Sequence, residues 1–310
     1  GVSTEELFQT YDLSNTGDWS LEKTINAPNA VFDENLIKIY LYRPFDLRFL
    51  YYERKYWVNR PRYHIMKHLE ESNLKNLALL VGRAGRVTRR EEWDLVFVSQ
   101  GLTDLNIFYR GGVTIYPVFL KNGKSNIKSE IIASLQAHYK SKISPMDIFY
   151  YIYAILFSLT YRKKYSTWLK FEPPRIPFPQ FSDLFFLIRD KGETLVKIHL
   201  GKKVENQDLK IKTSSKVEKI TYDSTTNRLW INSEYNFLIP EEVWKFHIGG
   251  YAVLKKWLKD RKNKTLTIKE ISWFRQIIQA LKKTIQIQKD LDSLNWKFLD
   301  SNYMTILSEK

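Results

Sequence analysis

The stretch VWKFHIGGYAVLKKWLKDRKNKTLTIKEISWFRQIIQAL, residues 243–281, joins two apolar periodicities through a basic break. Gly249 and Gly250 offer backbone angles that a side chain resists, which suits a sharp entry into a helix beginning near Tyr251. Leu254, Trp257 and Leu258 fall on one face of that helix. Lys255, Lys256, Lys259, Arg261, Lys262 and Lys264 add positive charge, with Asp260 the single acid among them. Thr267 and Glu270 have the spacing of a capping box, after which Ile271, Phe274, Ile277, Ile278, Leu281 and Ile285 recur at helical spacing. The stretch therefore predicts a buried helical pair with an exposed basic strip. Lysines in such a place also serve simply to solvate the outer face of a buried helix, so the strip alone does not assign a partner.

The rest of the chain sets the bounds. Its 310 residues, 44% hydrophobic and 15% aromatic, are enough for one large domain or two moderate ones with a filled core. The 49 basic and 34 acidic residues leave a net charge of +15, a physical argument for a polyanionic partner, because Lys and Arg neutralise phosphates with release of counterions. With no cysteine, disulfides and thiolate metal sites are excluded, which fits a cytoplasmic location. The longest apolar run, Ile148 to Phe157, falls short of the ~20 residues a membrane helix needs, and no signal peptide opens the chain. The first residue is Gly rather than Met, which points to a piece of a longer polypeptide.

Read in order, the chain divides into a polar connector at 1–38, an α/β core at 39–240 and a C-terminal helical segment at 241–310. Residues 37–52 predict two strands around an Arg43 to Asp46 turn, with Arg43 and Asp46 read as a buried ion pair fixing it. Arg54, Lys55, Arg60, Arg62 and Lys67 then cluster around Tyr56, Trp57 and Tyr63, an interleaving that suits a phosphate-contacting surface with flat stacking groups. LALLVG and DLVFVS read as strands bounding a turn that presents Arg83, Arg86, Arg89 and Arg90. Arginine can pair bidentately with guanine, and Gln100 after the second strand carries an amide that could read adenine.

A strand at VTIYPVFL, a helix over 129–139 and a capped helix start at Ser144, Pro145 and Asp147 follow. The run IFYYIYAILF is apolar all round and predicts a central buried helix. Four prolines between Pro173 and Pro179 stop regular structure. A short helix over 184–190, a separate apolar run LVKIHL, and a hairpin around DSTTN complete the core. The fold class is α+β, a mixed β-rich core with a buried central helix and a C-terminal helical hairpin.

Three segments carry a more specific signal. HIGGYAVLKKWLKDRK at 247–262, YRPFDLRFLYY at 42–52 and YYIYAILFSLTYRKKYSTWLKFEPPRIPFP at 150–179 resemble, in this order along the chain, the C-terminal part of type ISP and related type IIG-like single-chain restriction-modification enzymes, in the adenine-N6 DNA methyltransferase family. The resemblance implies a target-recognition portion that binds double-stranded DNA. It also implies upstream methyltransferase and nuclease domains on the same polypeptide, with S-adenosylmethionine and Mg²⁺ used by that parent and no cofactor in this chain. The residues expected to contact DNA are Arg60, Arg62, Lys67, Arg83, Arg86, Arg89, Arg90, Gln100, Lys255, Lys256 and Lys259.

Catalytic motifs are missing. FEPPR at 171–175 has the prolines of a (D/N)PP(Y/F) segment but neither an Asp or Asn before them nor an aromatic after them. No glycine-rich loop ends in Gly-Lys-Ser/Thr, so no ATP-driven step belongs here. His64 and His68 stand four apart, but Ile65 follows the first, and the zinc-protease pattern fails. Two rival readings remain: a Mg²⁺-dependent nuclease built on Asp190, Asp208 and Lys210, whose spacing loosely fits, and an RNA-binding domain using the GXXG run from Gly82 to Gly85.

Overall fold

The computed structural model describes residues 2–11, 13–15, 19–27, 31–53, 58, 61–70, 76–82, 91–202 and 214–299. The helices are α1 (Thr4–Tyr11), α2 (Leu21–Ile25), α3 (Tyr63–Glu70), α4 (Ser129–Tyr139), α5 (Pro145–Phe157), α6 (Leu159–Lys164), α7 (Ser166–Leu169), α8 (Ser182–His199), α9 (Glu241–Trp244), α10 (Val253–Lys259) and α11 (Ile268–Asp292). The strands are β1 (Ile37–Arg43), β2 (Asp46–Tyr51), β3 (Ala78–Gly82), β4 (Val96–Ser99), β5 (Leu102–Thr103), β6 (Val113–Pro117), β7 (Ser215–Lys216), β8 (Thr221–Asp223), β9 (Arg228–Trp230), β10 (Asn236–Leu238), β11 (His247–Ile248), β12 (Tyr251–Ala252) and β13 (Thr265–Leu266). The class is α+β, as the sequence predicts.

Local chemistry starts the central helix α5. Ser144 accepts from the backbone N–H of Asp147 while the Asp147 carboxylate accepts from that of Ser144, and Pro145 takes the first turn, where a missing N–H does no harm. From Ile148 on, nearly every side chain is buried. Against it lies α8. The sequence breaks this segment into a short helix and an apolar run, but the structure is one helix of 18 residues. Gly192, which reads as a breaker, is there because the helices approach so closely that a Cβ would collide with the Tyr150 carbonyl.

A three-stranded antiparallel sheet backs this pair. Central β3 pairs with β4 on one side and β6 on the other, so that Leu80 faces both Phe97 and Ile115. β1 and β2 form a hairpin, to which β5 adds in parallel beside β1. The DSTTN hairpin is present as β8 and β9, with β10 on the outer edge of β9.

The long helix α11 begins with the predicted capping box of Thr267 and Glu270 and buries Ile271, Phe274, Ile277, Ile278 and Leu281, with Ile285 half-buried beside them. It is fastened to the core by polar bonds. Trp273 Nε1 donates to the Phe45 carbonyl at 2.9 Å, and Gln288 Nε2 donates to the Phe157 carbonyl at 3.0 Å. His199 at the end of α8 bonds Tyr153 Oη of α5 at 2.7 Å and Thr284 Oγ1 of α11 at 2.8 Å, with its ring stacked on Phe97 of β4. Burial lowers its pKa to about 3, helped by the nearby Arg162 charge, so the ring is neutral at physiological pH.

Gly249 and Gly250 do not open a helix. They form the two-residue turn between β11 and β12, with Gly249 at φ 62°, and α10 starts only at Val253. A Cβ on Gly249 would strike the backbone of Phe108, so this hairpin needs glycine for close approach as well as for its turn.

Candidate nucleic-acid interface

The short helix α10 sorts its residues by face. Val253, Leu254, Trp257 and Leu258 are buried, whereas Lys255 and Lys259, one helical turn apart, are exposed, as are Lys262 and Lys264 in the turn that follows. Four lysines thus stand along one edge. Two members of the basic run turn inward instead. Lys256 bonds Asp260 and lies 5.6 Å from the ring centres of both Tyr42 and Tyr251. The Arg261 guanidinium stacks on Trp257 at 3.6 Å, donates to Asp46 at 2.9 Å and reaches Glu270 at 3.4 Å.

Asp46 sits at the centre of this network with its side chain only 2% exposed. Arg48 bonds it at 2.8 Å and Asp260 at 3.1 Å. Burial disfavours the Arg48 charge, but the bond and charge of Asp46 outweigh it and raise the pKa. The network ties the β1–β2 hairpin to the start of α11. Arg43 is not part of it: the expected Arg43–Asp46 ion pair is replaced by Arg43–Asp104 at 2.9 Å. Arg43 and Asp46 stand opposite each other across the hairpin, but Arg48 and Arg261 take the Asp46 carboxylate and Arg43 turns to Asp104.

Arg43 and Arg48 both lie 3.9 Å from the centre of the Tyr42 ring, and Arg43 lies 5.2 Å from that of Tyr251. Tyr42 and Tyr251 therefore join with these cations in one surface cluster. Sequence reading missed this, because the residues sit more than two hundred positions apart; its only signal is a tyrosine followed by cations, at once in YRPFDLR and after one helical turn in GGYAVLKK.

The remaining predicted contacts are scattered. Arg62 donates to the Val113 carbonyl at 2.9 Å and lines a hollow of about 430 Å³ with Tyr52, Asp104 and Asn106. Lys67 is half-buried on α3. Gln100 rims a pocket of about 550 Å³ floored by Phe45, Phe97, His199 and Trp273. Its side-chain carbonyl accepts from Lys202 at 3.2 Å, engaging one half of the amide that adenine reading requires. Arg60, Arg83, Arg86, Arg89 and Arg90 lie outside the described residues, as do Arg54, Lys55, Tyr56, Trp57 and Gly85. The antiparallel β3–β4 pair on either side of residues 83–90 is described, with Ala78 to Val81 and Val96 to Ser99 all buried.

Of the nuclease set, Asp190 pairs with Arg189 at 3.0 Å, and Asp208 and Lys210 lie outside the described residues. Among the described residues no three His, Asp or Glu side chains gather to hold a metal ion, and no helix is long and apolar enough to cross a membrane.

An exposed lysine edge on a packed α+β body, beside a cationic–aromatic cluster, is the kind of surface that suits a polyanion. The chain belongs to the family of Type ISP C-terminal specificity domains, whose model matches residues 3–290. This is the family that the three sequence segments resemble. Solved structures share the fold. A nuclease-deletion mutant of the Type ISP restriction-modification enzyme LlaGI, in complex with a DNA substrate mimic, has TM-score 0.60 at 20% identity over 86% of this chain and 21% of that one. The ATP-dependent Type ISP restriction-modification enzyme LlaBIII, bound to DNA, has TM-score 0.68 at 19% identity over 92% of this chain and 20% of that one. A DrdV–DNA complex has TM-score 0.68 at 21% identity over 85% of this chain and 29% of that one. This chain thus spans less than a third of the length of each. No curated protein matches the chain significantly.

Proposed function

We propose that this chain selects the DNA target for a longer restriction-modification polypeptide. The observation that carries the reading is the exposed edge of Lys255, Lys259, Lys262 and Lys264, set on an element anchored by Trp257 and Arg261, within a Type ISP specificity domain. These lysines neutralise phosphates and fix register without reading sequence. Base reading falls to Arg83, Arg86, Arg89 and Arg90, which lie between β3 and β4 in the sequence, and to Gln100, which follows β4 beside the start of β3, at about 1–3 kcal/mol of discrimination for each good bidentate pair.

The chemistry belongs to other parts of the polypeptide. Pro173 and Pro174 are flanked by Glu172 and Arg175 rather than by the Asp or Asn and the aromatic of a methylating segment, which supports assigning S-adenosylmethionine and Mg²⁺ to those other parts. The remainder of the polypeptide also supplies a cover for one face of the β1–β2 hairpin. Ile39 pairs with Phe49 across the strands, and Ile39, Leu47 and Phe49 are 58%, 52% and 76% exposed, with Phe32 stacked on Tyr51 beside them. An apolar face of that kind marks a contact surface. Since this chain covers only 20% to 29% of its structural neighbours, we read the contact as the methyltransferase-bearing portion.

The test is duplex binding as a function of salt. Replacing Lys255 and Lys259 by Ala weakens binding uniformly across sequences and lowers the log–log salt slope by about 2. An unchanged slope would remove the lysine edge from the interface.

A further inference from the structure

The loop between β5 and β6 carries a backbone outlier that neither the core nor the lysine edge explains. Tyr109 has φ 122°, whereas the other non-glycine residues with positive φ among those described lie between 50° and 64°. Those values are the ordinary left-handed region; 122° is not, and a bulky aromatic stays there only when its surroundings force it. Two and three positions on, Gly111 and Gly112 have φ 106° and 79°, so the chain places glycine where it needs such angles freely. At 109 it keeps a tyrosine.

The forcing contacts are visible. Asn106 N–H donates to Asp104 Oδ1 at 2.7 Å, Tyr109 N–H donates to the Asn106 carbonyl at 3.1 Å, and the Phe108 carbonyl accepts from Gly250 N–H at 2.7 Å. Ile107 and Phe108 are buried and anchor the loop from below. The glycine hairpin makes room, since a Cβ on Gly250 would lie 2.9 Å from Tyr109 Cβ. The ring gains little burial in return and is 39% exposed. It meets Tyr251 edge-on with centres 5.8 Å apart, and Tyr251 in turn carries Arg43 and Lys256; Arg110, next in the chain, is exposed.

A strained, part-exposed aromatic beside an exposed arginine suits a groove contact: the ring offers apolar surface to a sugar or base edge, and Arg110 can meet the adjoining phosphate. We propose that Tyr109 is a DNA-contacting residue, its part-exposed ring packing against a base edge or sugar in a groove of the bound duplex, with Arg110 at the neighbouring phosphate. The proposal rests on the duplex-recognition reading above.

The experiment compares the intact chain with Tyr109→Phe and Tyr109→Gly, measuring duplex affinity and thermal midpoint for each. Glycine relaxes the backbone while deleting the ring, so the expected result is a midpoint equal to or above that of the parent with affinity weakened at least about fivefold. Phenylalanine keeps the affinity within about twofold, because the ring rather than the hydroxyl is used. A duplex carrying 5-iodouracil, irradiated with the parent chain, is expected to crosslink to Tyr109, and this arm decides the matter if Tyr109→Gly fails to fold. Parent-like affinity in a folded Tyr109→Gly, or crosslinks that map only elsewhere on the chain or on a partner protein, would overturn the proposal. A parent that binds no duplex at any salt overturns the recognition reading itself; a parent that binds and a glycine variant that binds equally overturn only the role of Tyr109.

Discussion

Arg261 donates to Asp46 at 2.9 Å across 215 residues of sequence, and Asp46 is almost wholly enclosed. Together with the Arg48–Asp260 bond at 3.1 Å, it joins two of the three segments that carry the family resemblance, the YRPFDLRFLYY hairpin and the helix of HIGGYAVLKKWLKDRK. It holds the lysine edge at a fixed place on the β1–β2 hairpin.

Removing the acid leaves two guanidinium groups facing each other. Asp46→Ala is expected to destabilise the chain by about 3 kcal/mol, the low end for breaking a buried pair because Arg48 retains solvent and Asp260. Chemical denaturation gives the number directly. A loss within about 0.5 kcal/mol, the range of an ordinary surface change, would mean that the network does not fasten the hairpin.

His199 makes stability fall in acid. Its pKa is depressed from 6.5 to about 3 in the folded chain, so between those values the unfolded chain binds a proton that the folded chain refuses. Stability attributable to this group is full above pH 6.5 and declines by about 1 kcal/mol per pH unit as pH falls toward 3. Denaturation of the parent and of His199→Gln across pH 4 to 7 checks it: the variant should lose this one-proton part of the slope.

Gly192→Ala should be harmful despite alanine's better helix propensity. A Cβ there meets the Tyr150 carbonyl, and the two central helices must separate, which is expected to cost about 2 kcal/mol or more. Thermal melts by circular dichroism would show it as a lowered midpoint; an unchanged or raised midpoint would show that α8 can shift freely against α5.

Polar replacements on the open hairpin face separate folding from assembly. Ile39→Thr with Phe49→Thr should change the stability of this chain by less than about 1 kcal/mol, since both side chains are already exposed. The same pair should lower aggregation of the isolated chain and impair its co-purification with the methyltransferase-bearing portion of the polypeptide. Undiminished co-purification would place that contact elsewhere.

What the sequence made legible was local. The capping box of Thr267 and Glu270 is present as read, and the capped helix start at Ser144, Pro145 and Asp147 is present and closes into a second capping box. The all-apolar run of α5, the β3–β4 pair and the β8–β9 hairpin follow from composition and spacing in the same way. What was not legible depended on distant partners. Gly192 looks like a breaker until the Tyr150 carbonyl is beside it, and Gly249–Gly250 looks like a helix entry until Phe108 and Tyr109 press against it. Arg43 and Asp46 read as an ion pair with each other, but their partners are Asp104 and Arg261, 61 and 215 positions away. In the basic run, Lys256 and Asp260 stand at the spacing of a helical ion pair, and that local signal was overshadowed by the surrounding charge. The strained backbone of Tyr109 leaves no trace in the sequence.

The central claim, that this chain itself chooses a DNA sequence, is tested most directly by binding it to a labelled pool of random duplexes over a series of salt concentrations and sequencing what remains bound. Enrichment of one short motif, with affinity falling steeply as salt rises, is the predicted result. Binding that is salt-sensitive but enriches no motif would contradict the claim and reduce the lysine edge to a nonspecific phosphate contact.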